Sequence, residues 1–356
     1  MITVAQLEPV RVTVGVDTHK DVHVAAAMDH LGRRLGESSI PTTPSGYRDL
    51  LAWAKSHGKV EAWGIEGTGS YGAGLSRFLH DADQTVIEIN RPDRKARRLK
   101  GKSDPVDAEA AARAVLSGEA STVPKAGDDR VEMIRALRTA RSSAIKARTQ
   151  AINAIKALVV SAPAGLREQL RALSAGELVR TCVRLRPGNV VDPLAATKLA
   201  LRSLASRYET LVAEIKVLDP QLERLATEAA PGLVALFGVG PDVAGTLLVT
   251  AGDNPERLRS EAAFAHLCGV SPIQASSGKT IRHRLNRGGD RQANAALYRI
   301  VIVRLRFDAK TQQYAARRLA EGKSKPEIIR CLKRYVAREV FAVLTDTVQK
   351  NVRHAA

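Results

Sequence analysis

The amino-acid sequence predicts an α/β plus α chain: a mixed β-sheet domain, then a helical coiled-coil region, then a further helical domain. Three observations predict it. Strand-like runs come first and then alternate with helix-like stretches up to Pro124; the composition changes after that proline; and an apolar 3-4 repeat runs from Leu201 to Leu225. The boundaries drawn from them are 1–124, 125–230 and 231–356.

Arg11–Asp17 (RVTVGVD) and Val22–Met28 (VHVAAAM) are β-rich runs joined by Thr18-His19-Lys20, the pattern of a hairpin. Arg34–Ile40 supplies a third short strand. Val60–Glu66 (VEAWGIE) and Thr85–Asn90 (TVIEIN) are further strands, with helix-like stretches near Tyr47–Ser56 and Gly72–His80. Antiparallel strands followed by strands that alternate with helices give a mixed sheet.

From Arg135 to Lys156 there are six basic residues and no acidic one, and Ile134, Leu137, Ile145, Ile152, Ile155 and Val159 give the segment an apolar face. A long helix is predicted, and its uncompensated cations, among them Arg135, Arg138 and Arg141, read as facing phosphate rather than solvent alone. Leu201, Leu204, Tyr208, Leu211, Ile215, Leu218, Leu222 and Leu225 then follow at spacing 3-4-3-4-3-4-3, a heptad seam. Two partners suit it: the basic helix in an intramolecular hairpin, or a second copy in a dimer. Pro220 lies within the seam and is expected to kink or end the helix.

After Ala230, Leu236-Phe237-Gly238-Val239-Gly240 leads into a helix in the manner of a helix-hairpin-helix turn. There the backbone amides of Gly238 and Gly240 are candidates to meet a phosphate oxygen. The chain continues through GVSPIQASSGKTIRHRLNRGGDRQANAALY and is expected to end in two or three helices.

Composition bounds the function. Hydrophobic residues make up 44% and charged ones 26%, which fits a globular and not a disordered chain. With 55 Lys and Arg against 37 Asp and Glu, the formal charge is +18, and the expected partner is polyanionic, DNA or RNA. No run approaches the roughly 18 apolar residues of a membrane span, and no basic-then-apolar leader is seen. Cys182, Cys268 and Cys331 are odd in number and widely spaced, which excludes a disulfide framework and a CxxC zinc site and points to a reducing cytoplasm. Two Trp, six Tyr and five Phe argue against base stacking as the main mode of nucleic-acid binding.

Four carboxylates stand out by position. Asp17 ends the first strand; Glu66 ends another and precedes the loop Gly67-Thr68-Gly69-Ser70-Tyr71; Asp104 and Asp107 lie three apart at a helix start in KSDPVDAEAAARA. Gathered on a strand–helix scaffold, they suit hard divalent cations, which take oxygen ligands. Two Mg²⁺ ions, with Mn²⁺ as a substitute, would stabilise the attacking and leaving oxygens of a phosphodiester. Asp104 at the N-cap, Pro105 at N1 and Asp107 in the first turn also form a good helix start, and capping and metal binding are compatible. Just before them, Arg91, Arg94, Lys95, Arg97, Arg98, Lys100 and Lys102 stand against the single acid Asp93, a charge that offsets phosphate repulsion at an acidic site. Lys279, Arg282, His283, Arg284, Arg287 and Arg291 follow the Ser276-Ser277-Gly278 segment and suit a DNA backbone.

VGVDTHKD around Asp17, GIEGTGSYG around Glu66, KSDPVDA around Asp104 and Asp107, LFGVGPDVAGTLL, and AHLCGVSPIQASSGKTIRHRLNRGGDRQANAAL occur in that order over roughly residues 12–300. Together they resemble the insertion-sequence transposases with a DEDD nuclease-like domain and a C-terminal serine, relatives of the pilin-gene invertase that include bridge-RNA-guided recombinases. The resemblance implies a RuvC-like, RNase H-like first domain whose metal site is Asp17, Glu66, Asp104 and Asp107. It implies Ser277 as nucleophile, several residues after Gly269-Val270-Ser271-Pro272, with Ser276 one place away in register. It further implies a guide RNA and a homo-oligomer, dimer or tetramer, acting on element ends and target DNA in a bacterial, nucleoid-associated, cytoplasmic setting.

The expected activity is thus that of a transposase or site-specific recombinase working through a phosphoserine intermediate with Mg²⁺. Two alternatives stand beside it. One is a metal-dependent, Holliday-junction-resolvase-like nuclease that uses water. The other is an architectural nucleic-acid binder whose carboxylates only cap helices.

Overall fold

Alternation along the first strand decides which side of the sheet carries chemistry. In β1 (Arg11–Thr18), Val12, Val14 and Val16 point to one face, into a buried cluster with Leu50, Trp63, Ile65, Leu75 and Leu79. Thr13, Gly15 and Asp17 therefore point to the other. This computed structural model describes residues 9–89, 103–127 and 129–355. The remaining early elements are β2 (Val22–Asp29), β3 (Arg34–Pro41), α1 (Pro44–Ser56), β4 (Lys59–Glu66), α2 (Ala73–Asp81) and β5 (Val86–Ile89).

The five strands lie in the order β3-β2-β1-β4-β5. β1 with β2 and β2 with β3 are antiparallel, while β1 with β4 and β4 with β5 are parallel, so the sheet is mixed as the sequence predicts. Asp29 closes the β2–β3 turn by accepting from the Leu31 and Arg33 amides at 2.9 Å and from Arg33 Nε at 2.7 Å. Thr43 caps α1, its hydroxyl accepting from the Gly46 amide at 3.2 Å, with Pro44 in the first turn.

Helix α3 (Asp104–Leu116) covers the face opposite the valines, packing on β1, β2 and β4. Gly15 and Gly64 are register partners on β1 and β4. A Cβ on Gly15 would come within 2.0 Å of the Ala108 carbonyl oxygen, and one on Gly64 within 2.8 Å of that of Ala111. Backbone thus rests on backbone, and the facing residues Ala108, Ala111 and Ala112 are all small and buried.

The chain forms two compact units: the described residues up to Asp129 with Ala251–Ala263, and Arg130–Thr250 with the residues from Phe264 onward. In the second, α4 (Arg130–Ser161) and α7 (Pro193–Ala229) pack along each other as a hairpin. The heptad seam thus finds a partner within the chain: Leu201, Ile215, Leu222 and Leu225 are buried and the other four are half-buried. Helix α7 does not end at Pro220, which lies inside it. The carbonyl that loses its amide partner there belongs to Lys216, an exposed residue. Helices α5 (Ala164–Leu170) and α6 (Ala175–Val183) close the far end of the hairpin around Ile155, Val159, Leu170 and Cys182.

Beyond lie the single turn α8 (Pro231–Val234), α9 (Pro241–Ala251), α10 (Glu261–Leu267) and a short ribbon of β6 (Ile273–Gln274) with β7 (His283–Arg284). Three helices follow, α11 (Arg291–Phe307), α12 (Ala309–Ala320) and α13 (Lys325–Ala355). No helix among the described residues is long and apolar enough to cross a membrane.

Candidate metal centre and serine hairpin

One step past the register pair Val16–Ile65, the adjacent parallel strands deliver Asp17 and Glu66 to the C-terminal edge of the sheet, on the α3 face. The Thr18 hydroxyl donates to the Glu66 carbonyl at 2.8 Å and ties the two strand ends together. The first turn of α3 supplies Asp104 and Asp107. All four carboxylate residues line one pocket of about 290 Å³, with His19, Ser70 and Tyr71 among their neighbours.

Within that pocket His19 Nε2 lies 3.2 Å from Asp17 Oδ2 and 3.4 Å from Asp104 Oδ1. One ligand atom from each of Asp17, His19 and Asp104 falls within 4.8 Å of the others. Burial pushes the Asp17 carboxyl up; His19 opposes this, and the charges of Asp107 and Asp104 add to it. A cluster of hard oxygen donors at the edge of a sheet, with one member held against its own ionisation, fits a divalent cation. The helix start differs by one residue from expectation: Ser103 is the N-cap, and Asp104 and Pro105 begin the helix. The Asp104 side chain faces His19 instead of closing the cap.

His19, Ser70 and Tyr71 are absent from the site that sequence spacing predicts. His19 reads as a turn residue in Thr18-His19-Lys20, and the available signal is its position two places after Asp17.

The basic segments fare differently. Arg91, Arg94, Lys95, Arg97, Arg98, Lys100 and Lys102 lie outside the described residues. On α4, the expectation of uncompensated charge needs correction. Arg138 donates to the Asp242 carboxylate at 2.7 Å and to its carbonyl at 2.6 Å. Arg141 pairs with Asp219 and reaches Asp242 at 3.3 Å, and Arg135 holds Glu132 at 2.6 Å. The Arg138 and Arg141 side chains are only 14% and 22% exposed. The partner of Arg135 lies on α4 itself, but the acids that meet Arg138 and Arg141 come from α7 and α9, so these two guanidinium groups fasten helices together. Arg299 on α11 completes the cluster, 2.8 Å from Asp242 Oδ2. Although burial pushes the Asp242 carboxyl up, Arg138 and Arg299 hold it below the usual carboxylate range.

Gly238 and Gly240 occupy the turn between α8 and α9. The Gly240 carbonyl accepts from Ala244 at 2.9 Å as α9 begins, and the Phe237 carbonyl accepts from Arg304 Nε at 2.9 Å.

Ser277 lies at the tip of the β6–β7 ribbon. Its amide and carbonyl exchange two bonds of 3.1 Å with Thr280 across a two-residue turn, and Gly278 takes the positive φ of 54° that such a turn needs at its first position. The neighbouring serines differ. The Ser276 hydroxyl belongs to the ribbon, accepting from the Arg282 amide at 3.2 Å and donating to its carbonyl at 3.4 Å. Ser277 is exposed, and its hydroxyl has no hydrogen-bond partner among the described residues. Lys279, Arg282, Arg284, Arg287 and Arg291 are exposed around the ribbon.

Comparison with known proteins finds relatives among insertion-element proteins. A family model for the DEDD transposases of IS110 type matches residues 14–162, and one described as transposase, IS116/IS110/IS902 family, matches residues 232–316. The chain is 30% identical over 160 residues to the insertion element IS110 uncharacterized 43.6 kDa protein of Streptomyces coelicolor, spanning 44% of this chain and 39% of that one. It is 24% identical over a 385-position alignment to the insertion element IS900 uncharacterized 42 kDa protein of Mycobacterium paratuberculosis, spanning 94% and 96% of the two chains.

Proposed function

We propose, from the transposase family models that match residues 14–162 and 232–316, that the chain cuts and rejoins DNA as the transposase of an insertion sequence, through a phosphoserine intermediate at Ser277. The observation that carries the reading is the convergence of Asp17, Glu66, Asp104 and Asp107 on one pocket from two strand ends and a helix start. The mixed sheet beneath them supports a RuvC-like, RNase H-like assignment.

A DEDD-type domain uses divalent metal, and Mg²⁺ is the ion proposed, held by the four carboxylates. When bound, it supplies Lewis-acid polarisation of phosphate oxygens. The protein's own residues do the rest. His19, between Asp17 and Asp104, orients both carboxylates. The Ser277 hydroxyl, free of internal partners, attacks phosphorus; an Oγ–P bond forms as one P–O bond of the strand breaks, and the displaced oxygen leaves as a hydroxyl with the proton balance of the serine. The reverse reaction with a different strand end rejoins DNA without an external energy source. Exposed cations around the ribbon hold the backbone in register. The family resemblance also supports a structured guide RNA, a dimeric or tetrameric assembly, and a cytoplasmic, nucleoid-associated setting.

The test is covalent trapping. Protein, Mg²⁺ and DNA bearing the element ends are incubated, denatured and resolved by size. A protein–DNA adduct that vanishes in Ser277→Ala supports the reading. Cleaved ends without adduct would assign the reaction to water, as in a junction-resolving nuclease; intact DNA would leave only binding.

A further inference from the structure

A cleft of the second unit, about 1500 Å³, runs from the Gly269–Pro272 turn and the base of the serine ribbon to the exposed side of α11 and α13. Eight Lys and Arg residues line it against one carboxylate, Glu327. That carboxylate is already engaged, accepting from the Ser324 amide at 2.8 Å and hydroxyl at 2.6 Å. Arg284, Arg287, Arg291 and Arg330 form no salt bridge among the described residues, unlike the arginines of α4. The cations crowd one another: burial and then the charge of Arg330 push the Lys333 ammonium down. Lys333 donates to Asn294 Oδ1 at 2.8 Å, and Asn294 donates to the carbonyls of Cys268 and Gly269 at 3.0 and 3.1 Å, so the cleft floor is fixed.

Two aromatic rings set this cleft apart from a plain basic surface. Tyr298 on α11 and Tyr335 on α13 both line it, and each is 46% exposed. Tyr335 is held edge-on by Tyr314 at 5.6 Å between ring centres. Exposed rings in one cleft with Arg284, Arg287, Arg291 and Arg330 match a strand whose bases are free to stack, because a duplex keeps its base faces inside.

We propose that this cleft binds an unpaired polynucleotide strand, its phosphates on Arg284, Arg287 and Arg330 and its bases stacked on Tyr298 and Tyr335. The proposal deepens the reading above and rests on its nucleic-acid substrate. The shared chemistry is a single strand, DNA or RNA, held beside the serine ribbon.

The test is fluorescence anisotropy with the full chain in EDTA, using labelled single-stranded DNA, single-stranded RNA and duplex DNA of about 12 residues. Tyr298→Ala with Tyr335→Ala is expected to weaken single-strand binding about tenfold or more while duplex binding moves less than twofold. The paired Phe variants, which keep the rings, are expected to stay within about twofold of the parent. Replacing Arg284, Arg287 and Arg330 by Gln is expected to lower the log–log salt slope on single strands by about 2, at roughly 0.7 per lost contact. Whichever of DNA and RNA binds more tightly identifies the strand. Unchanged single-strand binding in the Ala pair, an equal loss on duplex, or equal losses in the Phe and Ala pairs would each overturn the proposal. No cleavage is read, so the outcome is separate from that of the trapping assay: an adduct with indifferent tyrosines sinks the cleft alone, and tyrosine dependence without an adduct sinks the serine reading alone.

Discussion

Gly15 and Gly64 stand side by side in the sheet, and the backbone of α3 lies where their side chains would be. This contact sets the height of α3 above the sheet and so brings Asp104 and Asp107 beside Asp17. A close helix–strand approach and a pocket lined by carboxylates are two consequences of the same pair of glycines.

Gly15→Ala is therefore expected to damage both. Its Cβ would meet backbone atoms at 2.0 and 2.3 Å, which no rotamer relieves. Overpacking of this kind costs about 1–3 kcal/mol, and rigid backbone places it at the upper end. Gly64→Ala, at 2.8 Å from a backbone oxygen and from a Val115 methyl, is expected to cost less. Thermal unfolding of each variant checks the order. A Gly15→Ala protein as stable as the parent would mean that α3 shifts freely.

Asp17→Asn and Asp104→Asn are expected to weaken Mn²⁺ binding, read by the loss of free-ion signal in electron paramagnetic resonance, and to abolish DNA cleavage without unfolding the chain. The cluster of Asp17, His19 and Asp104 is the reason. His19→Ala is expected to be milder, since it removes an orienting partner and leaves the carboxylates. Mn²⁺ binding equal to the parent in both Asn variants would separate the pocket from metal.

Asp242 gathers Arg138, Arg141 and Arg299, so Asp242→Asn is expected to destabilise the second unit by about 1.5–3 kcal/mol, the range for hydrogen bonds to charged groups. The pH dependence has a definite sign. The folded-state carboxyl is held below its ordinary value. Its contribution is therefore fully present above the unfolded value of about 3.9 and is lost as the pH falls through the lower folded one. Urea midpoints of parent and variant are expected to converge below about pH 4. A constant gap down to the lowest accessible pH would place the effect in packing and not in charge.

How much of this was legible in the sequence depends on how local the signal is. Strands β1, β2 and β4 announce themselves because β-branched and small residues recur at the period of a pleat, and Asp17 and Glu66 stand out as charges ending apolar runs. The heptad seam is equally local, but its choice between α4 and a second copy is a tertiary matter. The pairing of Arg138 and Arg141 was invisible for the same reason: Asp219 and Asp242 are far away along the chain. Tyr298 and Tyr335 look like two isolated aromatics in a chain poor in them, and only the packing of α11 against α13 sets both in one cleft.

The adjacent serines offer the sharpest test, because the ribbon treats them differently. Ser277→Ala removes an exposed hydroxyl with no internal partner, so its stability cost is expected to fall within about 0.5 kcal/mol. It leaves the carboxylate pocket and the exposed cations in place, so DNA binding is expected to persist while the covalent adduct and strand exchange disappear. Ser276→Ala removes a hydroxyl that bonds both the amide and the carbonyl of Arg282, at a cost of about 1 kcal/mol to a short ribbon. Its expected effect is a loosened tip and a slower reaction, with the adduct still formed on Ser277. The two variants thus separate a nucleophile from a positioning residue by the presence of the adduct and not by rate alone. Adduct retained in Ser277→Ala but lost in Ser276→Ala would move the nucleophile by one residue. Cutting that survives in the double variant would hand the attack to water.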